Sequence, residues 1–201
     1  MEIKCIEFGS MGANCYLLET EDVKIVIDPF KLDGRIEAFL SSDKPKYVFL
    51  THCHFDHILG AEAIRKKFGA KIAIGEHDAV GLSDTYFSLS EMAGFNQAPF
   101  YADITFKNGQ VFKEGNTRIQ VLHTPGHTAG SVCYLLEDCI FTGDTLFEGT
   151  IGRTDFPTGD FSVMKKSLEK LKSLGKDYII YSGHGPKTTL FREKTTNPYL
   201  I

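Results

Sequence analysis

The chain reads as a mixed α/β protein, on three observations. Strand-like and helix-like segments alternate along it; 42% of its 201 residues are apolar and 24% charged; and chemically active side chains collect where apolar runs stop. Alternation of this kind points to sheets packed against helices. The length suits one domain over residues 1–201 with a sizeable core.

The elements follow in order. Ile3 to Phe8, Asn14 to Glu19 and Val23 to Ile27 read as strands joined by short turns. Tyr47 to Thr51 is a fourth, rich in β-branched and aromatic residues and buried-looking throughout. From Ile58 to Phe68 apolar residues recur near i, i+3, i+4 and i+7, which makes an amphipathic helix ending before Gly69. Lys71 to Ile74 is a short strand, and residues 101–143 repeat the meander of strands. Asp160 to Leu174 is a helix stopped at Gly175, Tyr178 to Ser182 a last strand and Thr188 to Lys194 a closing helix. Ser83 to Ala102 behaves differently. It scatters Tyr86, Phe87, Leu89, Met92, Phe95, Phe100 and Tyr101 among Gly, Ser, Asn and Pro without clean periodicity. Such a segment either covers the core between two halves, the expectation here, or forms a substrate lid.

The densest chemistry lies in Thr51-His52-Cys53-His54-Phe55-Asp56-His57, directly after the apolar run Tyr47-Val48-Phe49-Leu50. Imidazole and carboxylate are ligands for a zinc-like divalent ion where no thiolate is on offer. Two apart in an extended segment, His52 and His54 can aim the same way, while Asp56 and His57, at a turn, can face a neighbouring position. That suits two adjacent ions better than one. The chain holds only seven histidines, so three within one short run are no chance surface cluster. Three more sit near turn or glycine signals: His123 and His127 in LHTPGHT, and His184 in SGHGP. Between them FTGDT carries Asp144 at the end of another apolar run. Four strand ends would thus converge on one sheet edge, as functional loops on a rigid scaffold do. His77 is expected to be a solvated helix-start residue.

These motifs carry a family resemblance. THCHFDH (51–57), HTPGHT (123–128), FTGDTLF (141–147), GRTDFP (152–157), SGHGP (182–186) and the ending Thr196-Asn197-Pro198-Tyr199-Leu200 span most of the chain. In that order they resemble the metallo-β-lactamase-fold hydrolases, and among them the small glyoxalase II-like branch. The resemblance implies a four-layered αββα sandwich with a dinuclear metal site at one edge. It implies that His52, His54 and His127 hold the first ion, that Asp56, His57 and His184 hold the second, and that Asp144 bridges them. His123 falls outside that set and is expected to make a structural hydrogen bond. Arg153 is expected to pair with Asp155 or Asp160. Two divalent ions, zinc foremost with iron or manganese as alternatives, would activate water and polarise a carbonyl. Asp56 would then act catalytically by orienting the attacking water.

The expected activity is metal-dependent hydrolysis of a thioester or related ester, hydroxyacylglutathione hydrolase-like, on a small-molecule substrate. A thiolate leaving group needs no obligatory protonation, its pKa being about 8.5. Glyoxalase II proper has a helical region beyond this domain that helps bind glutathione, and the chain stops at Ile201 without it. The alternative is a persulfide dioxygenase-like oxidoreductase with a single iron on two histidines and one aspartate; His52, His54, His127 and Asp144 are compatible with that too. β-Lactamase and RNA-processing activities are not expected.

A net charge of −4 argues against a nucleic-acid surface. No run approaches the ~20 apolar residues of a membrane span, and Met1-Glu2-Ile3-Lys4-Cys5 opens no signal peptide. Five cysteines without paired spacing (Cys5, Cys15, Cys53, Cys133 and Cys139) point to reduced thiols and a cytoplasmic location. Cys53, between two histidines, is expected to point away from both and pack.

Overall fold

The computed structural model describes residues 1–8 and 12–201. Two six-stranded sheets carry the fold. The first runs in chain order: β1 (Glu2–Phe8), β2 (Ala13–Glu19), β3 (Lys24–Ile27), β4 (Lys46–Leu50), β5 (Lys71–Gly75) and β6 (Ile104–Phe106). β1 to β3 pair antiparallel through short turns. β3 to β6 pair parallel, because each connection crosses over the face. Those crossovers include α1 (Gly34–Leu40), α2 (Phe55–Ile58) and α3 (Ala61–Phe68), and a 3-10 turn over Glu76–Leu82.

The second sheet uses β7 (Val111–Glu114), β8 (Thr117–His123), β9 (Val132–Leu136) and β10 (Cys139–Gly143) as a meander. Two later strands, β13 (Ile179–Ser182) and β14 (Thr188–Thr189), extend it beyond β10. A separate hairpin, β11 (Leu146–Phe147) with β12 (Thr150–Ile151), precedes α4 (Phe161–Lys172), and α5 (Leu190–Thr196) follows β14.

Three hydrophobic clusters separate four layers. Ile36, Leu40, Ile58 and Ile64 of the first helices pack on Val26, Val48 and Ile72. Between the sheets lie Tyr16, Phe49, Phe106, Tyr134 and Phe141. Met164, Leu168, Leu171 and Leu190 cover the outer face of the second sheet through Cys133 and Ile140. β3 and β4 are buried on both faces, which is why their sequences are apolar runs without alternation. The αββα sandwich expected from the resemblance is the observed architecture.

The structure corrects two local expectations and adds two elements. The helix read from Ile58 to Phe68 is two helices broken at Leu59-Gly60. A Cβ at Gly60 would lie 2.8 Å from the Pro29 carbonyl oxygen, so the residue packs backbone to backbone and the helix restarts after it. Thr188 and Thr189, read as helix, form β14 before the Thr189 hydroxyl caps α5. α1, capped by Asp33, and the 146–151 hairpin were not foreseen.

Candidate metal centre

The ends of β4, β8, β10 and β13 lie at one edge of the sandwich, and the loops that follow them carry seven side chains together. β4 delivers His52 and His54 on an extended stretch; the chain then turns into α2, which carries Asp56 and His57. His127 comes from the loop after β8, Asp144 from the residue after β10, and His184 from the residues after β13. Donor atoms of His52, His54 and His127 lie within 4.8 Å of one another, as do those of Asp56, His57 and His184. Asp144 stands between the groups. Its Oδ2 is 3.4 Å from His127 Nε2 and 3.6 Å from His184 Nε2, and its Oδ1 is 3.6 Å from His57 Nε2.

Hydrogen bonds behind the histidines fix which nitrogen faces inward. His127 Nδ1 donates to the Arg153 carbonyl at 2.7 Å, an oxygen that can only accept. His57 Nδ1 is 3.1 Å from Asp28 Oδ2. Thr51 donates its hydroxyl to the same Asp28 oxygen, which leaves Thr51 Oγ1 to accept from His52 Nδ1 at 3.1 Å. With Nδ1 carrying the proton, His52 and His127 turn a lone pair on Nε2 toward the centre, as His57 does once its second proton leaves.

Nε2 of His52, His54 and His127 and Oδ1 of Asp144 are buried without a hydrogen-bond partner. Each such atom costs about 1–3 kcal/mol of unrecovered desolvation, so three imidazole nitrogens within 4.8 Å of one another, with a buried carboxylate beside them, call for a cation. Burial, and the neighbouring imidazoles, hold His52 and His54 well below the usual histidine range. His57 behaves in the opposite way. Burial opposes its charge, but Asp56, Asp144 and Asp28 outweigh burial and carry it up to about 10. His184 is likewise raised against burial by its contact with Asp56 and by Asp144. Asp56 is pulled below the usual carboxylate range despite burial, chiefly by His57 and His184.

Two aspartates that the sequence reading did not single out brace this arrangement. Asp28, 2% exposed, accepts from the Thr51 amide and hydroxyl besides facing His57. Asp78, also 2% exposed, accepts from the Cys53 amide at 2.9 Å, the Thr128 hydroxyl at 2.7 Å and the Gly130 amide at 2.7 Å. It thereby ties the loop of His52 and His54 to the loop of His127. Gly183 allows a close approach: a Cβ there would collide with Asp144 Oδ1.

His123 stays out of the cluster, its Nε2 donating to the Ala129 carbonyl at 2.8 Å, and His77 is exposed. Cys53 points into the first core cluster, with Sγ 3.5 Å from the Phe87 carbonyl. All five cysteines are free thiols. Arg153 makes a bidentate pair with Asp155, both contacts at 2.7 Å, and Asp160 instead caps α4.

The centre opens into a cleft of about 410 Å³ whose walls include Phe55, Leu89, Met92, Phe147, Arg153 and Phe156. The Ser83 to Ala102 stretch both covers core, through Ser88, Ser90, Gln97 and Phe100, and walls this cleft. The hairpin that supplies Phe147 is held by the carboxy-terminal motif. Asn197 donates to the Thr150 carbonyl at 3.1 Å, and Glu193 accepts from the Gly149 amide at 2.8 Å. No helix among the described residues is long and apolar enough to cross a membrane.

Comparison with known proteins agrees with this geometry. The chain is 34% identical to the hydroxyacylglutathione hydrolase GloC of Haemophilus influenzae, over 100% of this chain and 98% of that protein. The solved structure of BLEG-1, described as a B3 metallo-β-lactamase, superposes with a TM-score of 0.91 at 32% identity, covering 100% of both chains. ETHE1 from Myxococcus xanthus superposes with a TM-score of 0.81 at 29% identity, over 98% of this chain and 84% of that one. The family model of the metallo-beta-lactamase superfamily matches residues 9–184, and the chain belongs to that superfamily.

Proposed function

We propose that the protein is a dinuclear metal-dependent thioester hydrolase. His52, His54 and His127 would hold one divalent ion, Asp56, His57 and His184 the other, and Asp144 would serve both. The observation that carries this reading is the convergence of buried, unpartnered donor atoms on Asp144, whose two oxygens reach both groups. Zinc fits the imidazole-rich donor set, with iron or manganese as the alternatives. When bound, such a pair supplies an activated water at neutral pH and polarises the substrate carbonyl.

The chain's own side chains do the rest. Asp28 and the Arg153 carbonyl keep His57 and His127 in the tautomer that presents Nε2. Asp56 lines the cleft and is kept ionised by His57 and His184, so its carboxylate would orient the attacking water. Asp78 maintains the spacing between the two histidine loops. No acid stands opposite Asp56 among the residues that line the cleft. A thiolate needs none, and an alkoxide or amine leaving group would. Thioester hydrolysis is therefore favoured over ester and lactam hydrolysis, in line with the likeness to GloC. The unpaired thiols favour a cytoplasmic setting for a single catalytic domain over 1–201.

A second reading, the iron-dependent persulfide dioxygenase, is kept open by the likeness to ETHE1. Metal analysis and one substrate panel separate the two. Two ions per chain with cleavage of S-lactoylglutathione or simpler thioesters is the expected result. One iron per chain, oxygen consumption with glutathione persulfide and no thioester cleavage would replace it.

A further inference from the structure

We infer that the cleft selects a thioester with an uncharged apolar arm lying along Leu89 and Met92; this rests on the hydrolase reading above. The cleft at the metal centre does not end at Met92. A second hollow of about 410 Å³ shares Leu89 and Met92 with it and continues past Tyr86 and Pro157. The two hollows adjoin at Leu89 and Met92, so an extended arm leaving Asp56 and Asp144 would run outward along a channel with largely apolar walls.

Charge in the channel is unfavourable to an anionic substrate arm. Apart from the residues of the centre, the first hollow presents one charged side chain, Arg153. Its guanidinium is committed, paired twice with Asp155 and lying 3.8 Å from the centre of the Phe156 ring. The outer hollow carries a carboxylate, Glu91. The glutathione moiety has two carboxylates of its own and would meet Glu91 without a free cation to offset it.

The wall is built to keep its shape. Leu89 has φ +61°, a left-handed conformation that a branched side chain adopts only under strain, and it is 4% exposed. The residues on either side hold it there. Ser88 donates to Gln97 Oε1 at 2.5 Å and lies 3.0 Å from the Ser90 hydroxyl; Gln97 donates to the Gly81 and Leu82 carbonyls at 2.9 and 3.0 Å. The Phe55 amide donates to the Ser88 carbonyl at 2.8 Å, which locks the wall to the metal-bearing helix. Phe55 itself stacks on Phe95 at 4.9 Å. A strained backbone fixed by a buried polar network is a preformed surface, and its product here is an aliphatic face turned to the channel.

The test uses two neutral thioester series with the metal-loaded enzyme. One lengthens the acyl chain on N-acetylcysteamine from acetyl to octanoyl; the other keeps acetyl and lengthens an alkanethiol leaving group. Burial of one methylene is worth up to about fourfold, so kcat/KM should rise about two- to fourfold per methylene in one series, which also tells which side of the sulfur occupies the channel. Met92→Glu should flatten that slope with metal content unchanged. Leu89→Gly should lower it too, but glycine also removes a buried side chain and should lower the melting temperature, so Met92→Glu, at an exposed position, is the discriminating variant. Calorimetric binding of uncleavable S-alkyl thioethers gives an independent readout, with affinity rising along the series. A flat dependence in both series and in thioether binding, or S-lactoylglutathione preferred and lost with Arg153→Ala, would overturn the inference. Thioether binding that tracks chain length without cleavage of any thioester would leave the channel assignment standing and defeat the hydrolase reading instead.

Discussion

The two triads at the centre are built from similar residues, yet their surroundings make them behave differently. His52, His54 and His127 form a ring of imidazoles with centroids 4.5–4.8 Å apart. Their inward nitrogens are unpartnered, and burial keeps His52 and His54 neutral. Asp56, His57 and His184 include a carboxylate, and Asp28 and Asp144 lie close by, so their charges already offset one another. His52 and His54, neutral and unsatisfied, receive a cation without giving up a proton. The second triad must release the proton of His57 first. The same donor chemistry thus gives one position that is ready for metal and one whose occupancy is coupled to pH.

Asp144 reaches both groups of donors and is proposed to serve both ions, so Asp144→Ala has the largest expected effect. Both ions should be lost and turnover should fall by more than about a thousandfold. Elemental analysis of the purified variant checks it: two tightly held ions would show that the carboxylate does not bridge. His184→Ala should separate the positions. It removes the only donor of the second triad that comes from the carboxy-terminal half, so about one ion should remain, with circular dichroism unchanged and turnover cut by about a hundredfold or more. Full activity in that variant would end the two-metal mechanism.

Acid should separate the positions without mutation. His57, raised to about 10, and His184, also raised, hold protons that compete with the second ion, whereas His52 and His54 are lowered. Dialysis at falling pH should therefore empty the second position before the first. The metal-free protein has the complementary signature. A histidine raised on folding contributes stability that is complete below its unfolded pKa of about 6.5 and is lost as pH rises through the folded value. Metal-free protein should lose melting temperature between about pH 7 and 10 for this reason, and loaded protein should not. Simultaneous loss of both ions in acid, or a metal-free protein that gains stability toward pH 10, would contradict the contrast drawn here.

Asp78 sharpens the comparison from the other side, since it braces only the loops of the first triad. Asp78→Ala should weaken the first ion by about ten- to a hundredfold, the usual cost of losing an outer partner. Titration with cobalt, read by its visible spectrum, distinguishes a weakened first position from general unfolding, and equal weakening of both positions would deny Asp78 this role.

Much of this was legible in the sequence for a physical reason. Ligand-bearing loops follow strands, and a buried strand writes itself as an apolar run, so THCHFDH, FTGDT and SGHGP announced both position and chemistry. Asp28 carried the same signature, an apolar run ending in Asp in IVIDPF, and could have been found by it. Asp78 had no such mark. It lies in a 3-10 turn behind an exposed histidine, and its importance comes from Gly130 and Thr128 about fifty residues away. The 146–151 hairpin was invisible for a related reason: its strands have two residues each, and Glu193 and Asn197 hold it from the far end of the chain.

The smallest expected effect belongs to the pair of histidines that sequence spacing alone could not rank. His123 and His127 flank Pro125-Gly126, and Gly126 at φ +138° bends the chain so that the two rings diverge. His127 goes inward, its Nδ1 on the Arg153 carbonyl and its Nε2 facing Asp144. His123 goes sideways to the Ala129 carbonyl and lies near the exposed ring of His77. Losing that one partly buried hydrogen bond costs about 0.5–1.5 kcal/mol. His123→Asn should lower the melting temperature slightly, keep both ions and keep turnover within about twofold, while His127→Asn should empty the first position. Metal content of the two variants measured side by side decides it; equal loss in both would mean that the bend aims the other histidine at the centre.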